Sequence, residues 1–175
     1  DDILRADGML KPRYASSVRM LRAPYLNTEY LGFYMDSEVS EYQSELIRQA
    51  VNYGFDRSKM MKYLRNGIGI PAVGGFIPKG LPGHNKNVGY DYQPEKAKQL
   101  LETYRIESGN PQPIITLTTT SNYLSFSEFI QRELQSMGLT IQIDVMPPSS
   151  LKSAKSNGKV DLFRASWVAD YPDAQ

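Results

Sequence analysis

The sequence predicts an α/β fold whose core is a parallel β-α-β-α-β unit. Three segments predict strands: 114–120, which is dense in β-branched residues, 139–146, in which Ile141, Ile143 and Val145 alternate, and 160–166. Two segments with apolar residues at helical spacing, 126–137 and 149–157, lie between them. Strands that alternate with helices through short links run parallel and are joined by right-handed crossovers.

The two crossover helices have recognisable ends. The first carries apolar residues such as Ile130 and Leu134 and stops at Gly138, a residue type that favours the left-handed conformation after a helix. The second closes at Asn157-Gly158 for the same reason. These ends predict helices that flank the sheet.

The amino-terminal half predicts further elements. Residues 18–21 predict a short strand, and residues 29–35, which are rich in aromatic residues, predict a longer one. Apolar residues at helical spacing predict a helix over 44–55. Asp56 is the expected N-cap of a second helix that ends at Asn66-Gly67.

Residues 67–94 predict a long irregular segment. They contain seven glycines and four prolines, a density that disfavours helices and strands. Pro94 suits the first position of the next helix, which carries Ala97, Leu101 and Tyr104. A loop of this length is either functional or wraps the surface of the domain.

Composition excludes several classes of function. The 175 residues carry a net charge of +1, which gives no electrostatic reason to bind nucleic acid. The absence of cysteine excludes disulfides, iron–sulfur clusters and thiol nucleophiles, and the single histidine, His84, excludes a multi-histidine metal site. We therefore expect no metal and no cofactor.

The segment 160–173 holds the most informative side chains. Ligands of an open parallel sheet bind beyond the carboxyl ends of its strands, and the last predicted strand ends there with Arg164, Trp167 and Asp170. Such groups suit a ligand that carries both a carboxylate and an ammonium group. Spacing alone leaves an equal alternative, in which Trp167 belongs to the core and Arg164 pairs with Asp161 or Asp170.

Catalytic chemistry has weaker support. The sequence has no G-x-S-x-G nucleophile motif, and His84 lies in the glycine- and proline-rich loop without a neighbouring acid. We expect no catalytic residue. The alternative function is a small metal-dependent hydrolase that uses Asp161, Asp170 and Asp173, which requires carboxylate oxygens converging on one ion.

Several motifs resemble those of one family, the bacterial extracellular solute-binding proteins of the peptide/nickel class (family 5). The segment LIRQAVNYGFDR at 46–57 is similar to the family signature VRQALNYAIDR. Residues 67–72, 77–80 and 92–101 follow the family in order and spacing. The run FRASWVADYPDAQ at 163–175 resembles the family's GW-x-ADYPDP element.

This resemblance implies one lobe of a type II periplasmic-binding-protein fold, with a mixed sheet around the parallel core. It implies that residues 1–17 are a connector from a first lobe and that 18–175 are part of the second, without its carboxyl-terminal helical part. Because the chain begins at Asp1 without an initiator methionine or a signal sequence, we expect both termini to be cut points.

The resemblance also implies the function. Family members capture peptides or related solutes and deliver them to ABC permease subunits, in the periplasm or at the outer face of the cytoplasmic membrane. We expect a monomer that touches a membrane only through a lipid anchor, if one exists, outside this chain. A receptor or signalling domain that reuses the lobe is a third hypothesis.

The family pattern assigns roles to particular residues. Asp170 matches the acid that holds the α-ammonium group of a peptide, and Arg164 matches an arginine used toward ligand carboxylates. Backbone groups of Ser166, Trp167 and Val168 are expected to pair with the peptide main chain. Lys155 lies near a second basic position.

Three departures from the family pattern are visible. Phe33-Tyr34 stands where many members have Phe-Asn, and Gly54-Phe55 replaces Ala-Ile. We interpret both as structural. Ser166 replaces the usual glycine before Trp167, which narrows backbone freedom beside the ligand and bears on specificity.

Overall fold

The computed structural model describes residues 3–22 and 25–171. The described residues form two compact units. We call the first the loop unit; it comprises the described residues within 1–28, 56–89 and 167–175. We call the second the sheet unit; it comprises residues 29–55 and 90–166.

Four strands and six α-helices follow in chain order within the described ranges. The strands are β1 Asn27–Phe33, β2 Ile114–Thr119, β3 Thr140–Val145 and β4 Leu162–Val168. The helices are α1 Ser40–Gln43, α2 Glu45–Tyr53, α3 Arg57–Leu64, α4 Pro94–Ser108, α5 Leu124–Gln135 and α6 Pro148–Ser156. None of these helices has the length and apolarity that a membrane crossing requires.

The strands form one mixed sheet in the order β1-β4-β2-β3. β2 runs parallel to β3 and to β4, so the predicted β-α-β-α-β core is confirmed. β1 runs antiparallel to β4, because Tyr34 donates its N–H to the carbonyl of Asp161 at one end (2.7 Å) and Ala169 donates to Leu26 at the other (2.9 Å). The α/β fold class with a mixed sheet is therefore correct.

The core of the sheet unit lies between the sheet and its helices. α2 packs against α4, and α5 packs against β2 and β3. Nine Ile, Leu and Val side chains of these elements, of β4 and of the residue before β3 are at most 2% exposed: Ile47, Val51, Leu101, Ile115, Leu117, Leu134, Leu139, Ile141 and Leu162. Their removal from water is the main source of the unit's stability.

The helix ends match the predicted signals. The Asp56 carboxylate accepts the N–H of Lys59 at 2.9 Å, as an N-cap does. α5 is followed by Gly138 with φ 96°, and α6 is followed by Gly158 with φ 62°. Both glycines adopt the left-handed backbone that residues with a Cβ avoid, which explains why the helices end there.

The loop unit contains the irregular segment that the sequence predicts. Between α3 and α4 the backbone forms turns and bends. Chain segments approach closely there, since a Cβ on Gly89 would lie 2.1 Å from the carbonyl oxygen of Val73. His84 is exposed, and its Nδ1 lies 2.9 Å from the carbonyl oxygen of Ile77. Its side chain therefore contacts the backbone of the same loop.

Two sequence predictions are corrected. The strand predicted at 18–21 is wrong, because these residues form neither strand nor helix: Val18 donates its N–H to the carbonyl of Tyr14 at 2.9 Å after the turn at 15–17, and Leu21 is 78% exposed. The last strand begins at Leu162 and continues to Val168, beyond the predicted 160–166, and antiparallel pairing with β1 accompanies this extension.

Candidate ligand-binding site

Two charged side chains of the sheet unit, Arg164 of β4 and Glu29 of β1, form an ion pair near the carboxyl end of β2. β4 lies between β1 and β2, and Arg164, the third residue of β4, follows Phe163, which pairs with Thr118 one residue before β2 ends. The chain leaves β2 at Thr119 and enters a 3-10 turn at Ser121–Tyr123. This edge of a parallel sheet is where ligands bind in α/β proteins.

Arg164 is held by two side chains of the sheet unit. Its Nη2 forms an ion pair with Glu29 of β1, and its guanidinium carbon lies 3.2 Å from the ring centroid of Tyr123. The arginine side chain is 17% exposed and that of Glu29 is 45% exposed. Burial lowers the pKa of Arg164 to about 10, which leaves it charged at neutral pH. We call Arg164, Glu29 and Tyr123 the Arg164 cluster.

Tyr123 is positioned by the turn after β2. Its N–H donates to the carbonyl of Thr120 at 2.9 Å, and its ring lies 5.9 Å from that of Phe126, centroid to centroid. A guanidinium over an aromatic face is attracted by the electron density of the ring. Tyr123 therefore fixes the plane in which Arg164 presents its N–H groups.

The loop unit holds a second group of side chains. The rings of Trp167 and Phe76 lie 5.6 Å apart with an interplanar angle of 40°. The hydroxyl of Thr28, which is 6% exposed, donates to the carbonyl of Phe76 at 2.7 Å and so anchors the segment that carries the ring. We call Trp167, Phe76 and Thr28 the Trp167 cluster.

The remaining predicted site residues lie on β4, just after it, and on α6. Ser166 is exposed, Val168 is 43% exposed, and Asp170 follows the strand on an exposed bend. Lys155, on α6, places its Nζ 5.3 Å from the ring centroid of Phe163. Phe163 and Arg164 are consecutive residues of β4, so their side chains face opposite sides of the sheet. Lys155, which contacts Phe163, therefore lies on the opposite face from the Arg164 side chain.

The partner of Arg164 differs from the one considered in the sequence. The pairing alternative proposed Asp161 or Asp170, and the structure shows an ion pair with Glu29. Glu29, Tyr123 and Phe76 are the functional candidates that sequence reasoning missed. Glu29 begins the predicted strand 29–35 and Tyr123 follows the predicted strand 114–120, but neither position by itself indicates a partner for Arg164.

The hydrolase alternative gains no support. Within 3–22 and 25–171, no three acidic or histidine side chains group closely enough to hold a metal ion. Asp173, one of its three proposed ligands, lies outside the described residues.

Ligands of α/β proteins bind beyond the carboxyl ends of the parallel strands, so the Arg164 cluster is a candidate for contact with a ligand. Comparison with known proteins identifies the class of protein. The sequence model of the bacterial extracellular solute-binding proteins, family 5 (middle region), matches residues 4–175. The chain belongs to this family.

Two curated relatives are similar over most of this chain. The dipeptide-binding protein of Escherichia coli K12 is 25% identical over 162 residues, which cover 90% of this chain and 30% of that protein. The glutathione-binding protein GsiB of Pectobacterium atrosepticum is 27% identical over 165 residues, covering 89% and 30%. The chain thus spans about 30% of the length of these relatives.

Among solved structures, the periplasmic binding protein DppA of Helicobacter pylori in complex with the peptide STSA is similar, with a TM-score of 0.74 and 26% identity. The match covers 85% of this chain and 28% of that one. The expected type II periplasmic-binding-protein fold is confirmed by this structural similarity.

Proposed function

We propose that this chain is a ligand-binding lobe of an extracellular solute-binding protein that captures peptides or related small solutes for an ABC importer. One observation carries the proposal: the family model matches residues 4–175, a range that includes Arg164 and Trp167 of β4 and Asp170 after it. Residues 18–175 form part of the second lobe, and 1–17 connect it to the first.

The proposed roles follow the charges of the side chains. Asp170 is exposed and binds the α-ammonium group of a peptide. Arg164 binds a ligand carboxylate, and Trp167 supplies an aromatic wall. Backbone groups of Ser166 and Val168 pair with the peptide main chain, which permits many different ligand side chains.

The proposal extends to the partners of the protein. Binding is its whole activity, without catalysis, and the loaded protein docks on ABC permease subunits. Since the family is extracellular, the protein is exported, and it acts as a monomer in the periplasm or at the outer face of the cytoplasmic membrane. Lys155 lies apart from Arg164 and takes at most a peripheral part in binding.

The test is calorimetry of Asp170→Asn in the protein at its natural length. Removing the carboxylate charge is expected to weaken binding of tri-alanine by about 100-fold, the upper range for one charge-assisted hydrogen bond. An N-acetylated tri-alanine is expected to bind both proteins equally weakly. The matched control is Asp36→Asn, an exposed carboxylate on the turn after β1. Unchanged affinity of Asp170→Asn for the free peptide contradicts the assignment.

A further inference from the structure

Arg164 already has a carboxylate partner in the protein itself. Its Nη2 is paired with Glu29, so a ligand carboxylate meets a guanidinium whose charge is partly compensated. Such an arginine attracts an incoming anion less than an unpaired arginine does, because each carboxylate reduces the field available to the other.

The two members of this pair are held differently. Arg164 is 17% exposed and its guanidinium lies against the ring of Tyr123 at 3.2 Å. Glu29 stands on β1, an edge strand in the described sheet, and its side chain is 45% exposed. A half-exposed glutamate exchanges its partner at lower cost than a mostly buried arginine does. Glu29 is therefore the residue that leaves the ion pair when another carboxylate binds Arg164.

We propose that Glu29 is a specificity-determining residue that competes with a ligand carboxylate for Arg164. This inference rests on the proposed function, in which Arg164 faces the ligand. Glu29 lowers the preference of the protein for ligands with a free carboxylate over the same ligands without one. It thereby broadens the range of peptides that the site accepts.

A purely structural role of Glu29 makes the opposite prediction. If Glu29 only holds Arg164 in its binding conformation, removing the charge of Glu29 disorders the guanidinium and weakens binding of a carboxylate. The competition mechanism strengthens that binding. The direction of the change in carboxylate preference therefore separates the two roles.

The experiment compares the wild type with Glu29→Gln in the natural-length protein. The probes are tri-alanine and tetra-alanine, each with a free carboxyl terminus and as the carboxamide, and calorimetry gives the ratio of their affinities. Glu29→Gln is expected to raise the carboxylate-to-amide ratio about tenfold, the size of one competing charge-assisted hydrogen bond. A second variant, Glu29→Thr, suits a β-strand and is expected to change the ratio in the same direction.

The matched control is Glu102→Gln. Glu102 pairs with Arg105 at 3.2 Å, and their side chains are 63% and 23% exposed, against 45% and 17% for Glu29 and Arg164. The control is expected to leave the ratio unchanged.

Two outcomes overturn the inference in distinguishable ways. If peptides bind but the ratio stays constant or falls in both Glu29 variants, the competition mechanism is wrong and the proposed function stands. If the wild type binds none of the four probes, peptide capture is itself refuted and the inference falls with it.

Discussion

Replacing Gly54 by alanine, the residue of the family signature, is expected to destabilise the sheet unit. Gly54 is buried and closes α2. A Cβ at this position would lie 2.4 Å from Cδ2 of Leu134 and 2.6 Å from the carbonyl oxygen of Ala50. Both distances are shorter than the 3.0 Å below which something must move, and one of the contacts is backbone.

The size of the effect follows from two opposing contributions. The φ of Gly54 is −89°, which alanine adopts freely, so the smaller entropy of the unfolded alanine chain would favour folding by about 0.4–1 kcal/mol. Overpacking in a filled core costs about 1–3 kcal/mol and exceeds this gain. The net loss of about 1–2 kcal/mol corresponds to a fall in Tm of about 2–8 °C.

The assay is urea denaturation followed by circular dichroism, arranged as a double-mutant cycle with Leu134→Val. Because valine lacks the δ-methyl groups, Gly54→Ala is expected to cost about 1 kcal/mol less in that background. The control is Gly109→Ala, where φ is 69° and nothing lies within 4 Å of the added Cβ. Its cost comes from the backbone and stays the same in both backgrounds. A Gly54→Ala protein as stable as the wild type, or a cost that Leu134→Val does not change, refutes the steric explanation.

Two further variants test the core and the Trp167 cluster. Leu101→Ala removes a fully buried side chain of α4 and is expected to cost about 2–5 kcal/mol in urea denaturation, whereas Ile106→Ala, 75% exposed on the same helix, stays within about 0.5 kcal/mol. Equal costs contradict the burial pattern. Phe76→Ala is expected to shift the emission of Trp167 to longer wavelength, because the indole loses a ring 5.6 Å away. Trp167 is the only tryptophan of the chain, so an unchanged spectrum shows that Phe76 does not shield it.

Local patterns in the sequence predict most of the sheet unit correctly. Alternation of Ile141 and Ile143 identifies β3, and glycines after α5 and α6 identify where those helices end. These signals depend on residues close in the chain, so they can be recognised without tertiary information. The strand predicted at 18–21 fails because a strand requires a hydrogen-bonding neighbour, which no local pattern supplies.

The candidate site is predictable only in part. Arg164 is identified because it lies on the last predicted strand of the parallel core, toward the carboxyl end of the predicted range 160–166. Its partner Glu29 depends on the antiparallel pairing of β1 with β4, which joins residues far apart in sequence and is a property of the tertiary fold. Phe76 lies in a segment without periodicity, so its contact with Trp167 leaves no pattern to recognise.

The order of strands in the sheet has a consequence for how the protein is made. Within the described chain, β1 is the first strand to be synthesised, and its only neighbour in the sheet, β4, is the last. The elements β2, α5 and β3 are close in sequence and can pack together early. β1 keeps both of its backbone edges unpaired until β4 emerges from the ribosome. Pairing across such a separation makes folding slow and leaves an aggregation-prone edge in the nascent chain.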